Sequence, residues 1–302
     1  MTRAFLKLIA AGLAVCVAGC GGGGGGSSAG LASTPAPPSG PAPPPGPSPS
    51  SAVDIFPSPA TQEFAAIGSG DDLRIRFDAA SNNYEVMVES QGWIRLLDDP
   101  LSTPQAGYPN TNFVFAGSPV NQSHFMIRAH HSYSDPDVRY LYSNLAAWGV
   151  EDLGGFVAFG MATPSAGMPT TGSASYKGMI EGRATDTTFD YQAGSLVSGW
   201  MIGSISLVFD FGGSSLSGSL SPILSLDKQY PLGTFSFENT VYSAGSTSFS
   251  GRFDTNVAGS NSFAGQFTGP AAQELIGKFA FPYMSPVSGT PQQSQGAFIA
   301  KR

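Results

Sequence analysis

The sequence predicts an all-β protein: a soluble antiparallel β-barrel of about eight strands, preceded by a small β-rich, handle-like domain. Three observations support this prediction. From about residue 73 onward, apolar and polar side chains alternate with a period of two, which is typical of strands with one buried face. Along the C-terminal strands, glycines alternate with Phe, Tyr or Ile on the apolar face. No segment shows the longer period of a helix of normal length, and residues 271–274 have room for about one helical turn.

The first 19 residues have the pattern of an export signal. Arg3 and Lys7 form a charged start, and the apolar run from Leu8 to Ala18 is shorter than the roughly 20 residues that span a bilayer. The run ends in small residues before Cys20, and this arrangement resembles a bacterial lipobox. Residues 1–19 are therefore expected to be a lipoprotein signal peptide, with Cys20 as the acylated N-terminus. The alternative is an ordinary signal peptide that contains a cysteine by chance.

Both cysteines of the chain, Cys16 and Cys20, lie in this signal region. Cleavage after residue 19 leaves only Cys20, so the mature protein is expected to have no intramolecular disulfide and no thiol nucleophile. Its acyl chains would anchor it in a membrane, because each buried CH₂ contributes about 0.8 kcal/mol. Gly21 stands where Asp would favour inner-membrane retention in Gram-negative lipoproteins. The expected location is therefore the outer membrane, lipid-anchored and surface-exposed.

Residues 20–51 are predicted to be a tether rather than part of the fold. Gly21–Gly26 is a run of six glycines and forms a flexible coil, whereas the proline-rich segment after it favours extended polyproline II. A proline-rich segment of about 15 residues reaches ~45 Å. Such a tether would hold a domain clear of the membrane, although low-complexity drift would produce the same composition.

The formal net charge of −7 is spread unevenly along the chain. Residues 52–138 hold 11 acidic and 4 basic residues, whereas residues 139–302 hold 10 and 8. Because the chain is acidic and has no basic stripe, no nucleic-acid partner is expected. The acidic N-terminal part favours either a basic protein partner, through electrostatic steering, or simple solubility.

Residues 52–138 are predicted to form the β-rich, handle-like domain. Two runs of alternating apolar residues, 73–77 and 84–88, flank a polar turn and predict a hairpin. Shorter strands are predicted at residues 93–96, 113–115 and 124–129.

Residues 139–302 are predicted to form the barrel. Alternation predicts strands at 140–148, 156–161, 172–183, 204–211, 216–224, 234–238, 249–253, 263–267, 275–281 and 297–300. The inward glycines favour a barrel over a β-sandwich, because a narrow cylinder needs small and large residues to alternate. The other face carries Lys, Glu, Arg and Asp, which would lie in hydrocarbon if the barrel crossed a membrane. The barrel is therefore expected to be soluble, with an apolar interior.

Three motifs follow one another in this part of the chain. The first runs from Phe159 to Gly178, the second is Gly269-Pro270-Ala271-Ala272-Gln273-Glu274-Leu275-Ile276-Gly277, and the third runs from Gly296 to Lys301. Together they resemble the barrel of the transferrin-binding protein B family, over roughly residues 139–302. The resemblance implies that residues 52–138 correspond to that family's "handle" domain, and that the chain is a surface lipoprotein that captures a host protein or a solute. The family's receptor has two handle–barrel lobes, whereas this chain has room for one, and no ligand-contact residue is carried over.

No catalytic, cofactor-binding or metal site is predicted. The chain lacks a nucleophile elbow, a dinucleotide fingerprint and a P-loop. The adjacent His130 and His131 would point to opposite faces of a strand, so they cannot easily share a metal. Solvated side chains rather than metal ligands are expected at these two residues and at His124. The acid pairs at 71–72 and 98–99 are expected to be turn residues. Packing rather than ligand contact is expected for three aromatic residues, Tyr108, Phe113 and Phe115.

These observations predict a non-enzymatic lipoprotein that binds a protein or a small solute, with a role in nutrient (iron or haem) acquisition. Its expected partners are the membrane, through the lipid anchor, and a host protein or solute, and no cofactor is expected. The alternative is a structural or adhesive surface lipoprotein without a solute ligand. A lipid-anchored hydrolase is disfavoured, because the sequence offers no nucleophile beside a base.

Overall fold

The structure, a computed structural model, describes residues 61–69, 73–81, 83–89, 92–103, 111–118, 123–129, 133–150, 153–190 and 195–302. The predicted signal peptide 1–19 and tether 20–51, with Cys20, lie outside these residues. The chain divides into two units, Met1–Ser50 and Ser51–Arg302, and all the described residues belong to the second. Their helical content is one 3-10 turn, Ser165–Gly167, and none of them forms a helix with the length and hydropathy of a membrane span.

Nine strands, β1 to β9, form the first sheet. They are β1 Gln62–Glu63, β2 Ala65–Ser69, β3 Leu73–Asp78, β4 Asn83–Val88, β5 Ile94–Asp98, β6 Asn112–Phe115, β7 Ser123–Ala129, β8 Ser143–Val150 and β9 Leu153–Gly160. From β3 to β9, each strand pairs antiparallel with the next in chain order. β1 pairs with β3, β2 pairs with β9, and only Phe64 separates β1 from β2. One segment thus pairs with both edges of the first sheet and closes it into a ring.

The interior of the first sheet is apolar, because each strand turns one face of its side chains inward. In the hairpin of β3 and β4, Ile75 pairs with Val86 and Phe77 with Tyr84, and all four are buried. These are the residues that the period of two selects, so the predicted hairpin is confirmed. On β8, the indole of Trp148 is buried among them.

The other nine strands, β10 to β18, form the barrel. They are β10 Ser173–Asp190, β11 Ser195–Asp210, β12 Ser215–Ser225, β13 Gln229–Pro231, β14 Phe235–Val241, β15 Ser248–Phe253, β16 Ser262–Thr268, β17 Glu274–Met284 and β18 Pro291–Lys301. All except the short β13 follow one another around a ring, because β18 pairs back onto β10 and β12 pairs with both β11 and β14. The predicted barrel of about eight antiparallel strands is confirmed.

Phenylalanines and glycines face each other on neighbouring strands inside the barrel. The pairs are Phe249 with Gly265, Phe263 with Gly251, Phe298 with Gly277 and Phe279 with Gly296. A Cβ placed on any of these four glycines would lie less than 3.0 Å from the facing ring. Each ring therefore covers bare backbone on the next strand, and this matching fills a narrow cylinder, as the glycine pattern predicts.

Two features differ from the sequence prediction. The sequence assigns the strands at 140–148 and 156–161 to a barrel region that begins at residue 139, whereas β8 and β9 complete the first sheet. Both strands are buried on two faces, because one face lines the first sheet and the other packs on the barrel, so their pattern resembles that of barrel strands. The sequence also predicts about one helical turn at 271–274. The structure has a hydrogen-bonded turn there instead, because Ala272 takes a φ of +54°, which a right-handed helix excludes.

Candidate functional site

The interior of the barrel is filled by its own side chains. The ring of Phe209 contacts those of Phe249 and Phe267, with centroids 5.1 and 4.8 Å apart. Phe253 and Phe263 contact each other at 5.3 Å, and neither is more than 1% exposed. These rings occupy the space that a hollow barrel would offer to a lipophilic ligand. Ligand contacts are therefore to be sought on the outer surface.

A buried carboxylate organises the end of the barrel at which β17 terminates. Asp186 accepts hydrogen bonds from the hydroxyls of Tyr283 and Ser285, both at 2.7 Å. Burial and the charge of Asp186 raise the pKa of Tyr283, so its hydroxyl stays a donor. Ser285 Oγ in turn accepts the backbone N–H groups of Val287 and Ser288, which fixes the turn between β17 and β18. The described residues hold no group of three potential metal ligands, here or elsewhere.

The motif from Gly269 to Gly277 closes the opposite end of the barrel. Its Ala272 is fully buried, and the Ala272 carbonyl accepts the hydroxyl of Tyr176 at 2.6 Å. Arg302 Nε donates to the same hydroxyl at 2.9 Å, and the Arg302 guanidinium lies 5.5 Å from the Tyr176 ring centroid. The motif therefore covers the apolar interior from solvent.

Glu274, the acidic residue of this motif, joins the barrel to the first sheet. Its two carboxylate oxygens accept the backbone N–H groups of Leu141 and Tyr142, at 2.7 and 2.9 Å. Desolvation raises the pKa of Glu274, and the two N–H groups act in the opposite direction. Because Glu274 is buried and its carboxylate accepts both N–H groups, this contact fixes the segment that leads into β8.

The outer faces of the two sheets meet in an apolar junction. It is formed by Leu145, Phe156 and Ala158 of the first sheet with Ile276, Ala297 and Ile299 of the barrel. At its rim, the hydroxyls of Ser143 and Thr268 are 2.6 Å apart. The Lys301 ammonium donates to the carbonyls of Pro136 and Arg139. The junction thus combines apolar packing with hydrogen bonds at its border.

A cationic and aromatic cluster also borders this junction. We define the Trp200 cluster as Arg183 and Trp200 of the barrel with His124 and Arg128 of the first sheet. Arg183 and Trp200 are cross-strand partners on β10 and β11. The Arg128 guanidinium lies 6.0 Å from the Trp200 ring centroid, and the Phe156 ring meets Trp200 edge-on at 5.0 Å. The cluster therefore spans both sheets.

The charges of the Trp200 cluster are only partly balanced. Arg128 Nε donates to both oxygens of Glu181, at 2.8 and 3.0 Å. Burial raises the pKa of Glu181, and the Arg128 charge opposes this rise. Arg183 has no ion pair or hydrogen bond among the described side chains, whereas desolvation and the Arg183 charge lower the pKa of His124. Among the described residues, one carboxylate, that of Glu181, thus accompanies the two guanidiniums of the cluster.

A second Trp–Arg cluster lies on the first sheet, and its charges are paired. We define the Trp93 cluster as Trp93, Arg74, Arg76, Glu63 and Glu85. The two guanidiniums lie 5.4 and 4.2 Å from the Trp93 ring centroid. Arg74 forms a bidentate pair with Glu63, at 2.6 and 2.8 Å, and Arg76 pairs with Glu85 at 2.6 Å. Each guanidinium therefore already has a carboxylate partner.

A cleft of about 400 Å³ lies between β2 and the barrel strands β14 to β16. Serine side chains and Gln266 line it together with apolar and aromatic side chains, which are those of Ile67, Val241, Tyr242, Phe249 and Ala264. No charged residue is among its lining residues. The cleft therefore offers shape and hydroxyl groups, but no electrostatic selection.

The structure clarifies most of the candidates that the sequence raised. Phe113 and Phe115 are buried inside the first sheet, which confirms packing. The Asp99 carboxylate accepts the N–H of Leu101 at 2.8 Å, as expected of a turn residue. His124 lies in the Trp200 cluster. Outside the described residues lie Cys20, Tyr108, His130, His131 and the acid pair at 71–72.

Sequence reasoning missed the polar residues that join the two sheets. Glu181 occupies an outward position on β10, where the period of two predicts exposure, but the first sheet covers it. Its partner Arg128 is 53 residues away, so neither strand alone carries a signal of this contact. Glu274 did carry a sequence signal, because it is the acidic residue of the motif that resembles a known barrel.

The comparisons with known proteins agree with the fold of the barrel. The family described as "C-lobe and N-lobe beta barrels of Tf-binding protein B" matches residues 168–302. This segment contains every barrel strand, so the resemblance to that family is confirmed. A search of curated proteins finds no match to the chain.

Solved structures of transferrin binding protein B are similar to the chain at low identity. A double mutant from Haemophilus parasuis Hp5 is 15% identical, with 80% of this chain and 44% of that chain covered and a TM-score of 0.42. A mutant from Actinobacillus pleuropneumoniae H49 is 14% identical, with coverage of 79% and 98% and a TM-score of 0.38. The isotype 1 protein from serogroup B Neisseria meningitidis is 19% identical, with coverage of 60% and 33% and a TM-score of 0.38. The chain spans about half the length of the first three structures it matches.

Proposed function

We propose that this chain is a non-enzymatic, lipid-anchored protein of the outer-membrane surface that captures a host protein, in the service of iron or haem acquisition. The observation that supports it most is the filled barrel, because packed rings confine a ligand to the outer surface. A small solute needs a concave site with well-placed polar groups, and the cleft of about 400 Å³ has no charged lining residue, so a surface of two joined sheets suits a protein ligand better. The match of residues 168–302 to the barrels of Tf-binding protein B supports the same class of function.

In this proposal, each part of the precursor has a separate task. Residues 1–19 direct export and are removed, Cys20 carries the lipid, and residues 20–51 hold the folded part away from the membrane. The first sheet corresponds to the handle-like domain and is followed by the barrel. Transferrin is the first ligand to test, because the similar solved structures are named for binding it.

Capture from host serum tests the binding proposal. Residues 20–302, with Cys20→Ser to prevent acylation, would be immobilised, and the tether alone, residues 20–51, would serve as the control. We expect saturable retention of one host protein, to be compared directly with iron-loaded and iron-free transferrin by surface plasmon resonance. Retention no higher than on the tether would contradict the proposal and favour a structural or adhesive role.

Protease treatment of intact cells tests the location. The wild-type protein is expected to be degraded on intact cells and to incorporate a labelled fatty acid, whereas Cys20→Ser is expected to lose the label. A protein that is cleaved only after cell lysis would place the folded part on the periplasmic side instead.

A further inference from the structure

The Trp200 and Trp93 clusters differ in one respect that bears on ligand binding. In the Trp93 cluster, both guanidiniums pair with carboxylates of the first sheet itself. In the Trp200 cluster, Arg128 pairs with the carboxylate of Glu181. Arg183 is exposed and has no ion-pair partner among the described residues. The guanidiniums of Arg183 and Arg128, together with the indole of Trp200, form an arrangement that attracts anions, although the net charge of the chain is −7.

Arg128 retains donors beyond those used inside the protein. A guanidinium has five N–H groups. The Nε of Arg128 donates to Glu181, and its Nη1 lies 3.4 Å from Met126 Sδ. The Arg128 side chain is 28% exposed. The remaining N–H groups are therefore available to an external carboxylate, and the buried Glu181 holds the guanidinium in place for it.

Trp200 adds an apolar surface to these donors. The Phe156 ring supports it edge-on, Arg183 is its cross-strand partner, and the indole is only partly buried. Trp and Arg are the residue types that contribute most binding energy at protein interfaces.

We propose that the Trp200 cluster is the docking surface for an acidic segment of the captured protein. Carboxylates of that segment pair with Arg183 and with the free N–H groups of Arg128, and a neighbouring side chain packs on Trp200. This inference rests on the proposed function, since it takes the ligand to be a protein.

Indole N–H signals in an NMR titration test the docking surface directly. The probe is a synthetic peptide of alternating Glu and Gly, and a Lys-Gly peptide of equal length is the control. The chain has three tryptophans, so the Trp93 signal serves as an internal comparison, and Trp→Phe variants assign the signals. We expect a saturable shift of the Trp200 signal with the acidic peptide only, which weakens as salt is added. No shift of Trp200, or an equal shift of Trp93, would overturn the inference.

Two arginine variants test whether the titration reports binding at this cluster. Arg183→Ala is expected to weaken binding of the acidic peptide by about threefold, the scale of one exposed ion pair. Arg252→Ala, which removes an exposed arginine from β15, is the matched control and is expected to change nothing. Equal affinities for Arg183→Ala and wild type, or an equal loss in Arg252→Ala, would show general charge attraction rather than docking.

Capture from serum separates this inference from the proposed function. If the wild type retains a host protein and Arg183→Glu retains it equally, the docking surface is wrong and the proposed function stands. If the wild type retains no protein, the proposed function fails, and the inference that depends on it fails with it. Loss of capture in Arg183→Glu, but not in Arg252→Glu, would support both.

Discussion

The first sheet and the barrel are both rings of antiparallel strands in chain order, yet they close differently. The barrel closes along a continuous register between β10 and β18, from Lys177 opposite Lys301 to Ala184 opposite Ser294. The first sheet closes through a segment that pairs with β3 at one end and with β9 at the other. The barrel thus closes by pairing its first strand with its last, whereas the first sheet closes through one segment, β1 and β2 with Phe64 between them.

The two interiors differ as well. The barrel repeats the pairing of a phenylalanine with a glycine on the next strand, whereas the first sheet shows a related pairing at Trp148 opposite Gly155. A ring that lies over bare backbone takes the place of a second side chain, so a narrow cylinder fills without voids. The barrel is therefore expected to be more sensitive than the first sheet to changes in the size of its inward residues.

The largest expected effect is that of emptying the barrel interior. Phe263→Ala removes a ring that contacts Phe253 and Phe237, at 5.3 and 4.3 Å, and that lies over Gly251. The resulting cavity should lower the free energy of unfolding by about 3–5 kcal/mol, measured by urea denaturation. Leu101→Ala, at a position that is 79% exposed on the first sheet's side, should change it little. A loss below about 1 kcal/mol for Phe263→Ala would show that the interior is not tightly packed.

The next largest effect should come from the ion pair across the junction. Arg128→Ala leaves the carboxylate of Glu181 buried without its partner, which should cost about 3 kcal/mol in the free energy of unfolding. Arg74→Ala breaks the exposed pair with Glu63 and is the matched control, with a much smaller loss expected. Equal losses in the two variants would show that the Arg128–Glu181 pair is as solvated as a surface pair.

Glycine matching in the barrel can be tested with one methyl group. Gly265→Ala places a Cβ against the ring of Phe249, so the free energy of unfolding should fall by about 1–3 kcal/mol. In Gly92→Ala, the same change meets no atom within 4 Å and should be close to neutral. If Gly265→Ala were also neutral, the close approach of ring and backbone would not govern the packing of the barrel.

The contact between Glu274 and the segment before β8 should have a local effect. Glu274→Gln keeps one acceptor oxygen and leaves one of the N–H groups of Leu141 and Tyr142 unpaired, at a cost of about 1–2 kcal/mol. Faster hydrogen exchange at these two amides, with barrel amides unchanged, is the expected readout. Glu238→Gln, on the exposed face of β14, is the control and should leave both amides protected.

The smallest expected effect is a dependence on pH. The pKa of His124 in the folded protein is lowered from 6.5, so the unfolded state takes up this proton first as the pH falls. The stability that the neutral imidazole contributes is present above pH 6.5 and is lost as the pH falls from there through the lower pKa of the folded protein. Urea midpoints at about pH 7 and about pH 5 should therefore differ more for the wild type than for His124→Gln. The difference should be a fraction of a kcal/mol, because the imidazole is exposed and screened.

The strand content and the inward faces followed from the sequence, because a period of two is a local property. The alternation of residues 263–267 and 275–281 selected the side chains that the barrel buries. The candidate site was harder to predict. Arg128 and Glu181 lie on strands of different sheets, and the pattern of each strand places its charge toward solvent.

The sequence by itself determined which residues form strands, which faces are apolar and that glycines alternate with large residues on the inward face, because these depend on neighbours two residues apart. The register between strands decided which ring covers which glycine. Only the tertiary structure decided that β8 and β9 complete the first sheet, that residues 62–69 close it, and that Glu181 is buried. The physical reason is that a strand with two apolar faces fits either sheet equally well. Which sheet such a strand joins depends on the apolar surface that the two sheets bury against each other. That surface is formed by residues far apart in the sequence, so no single segment predicts it.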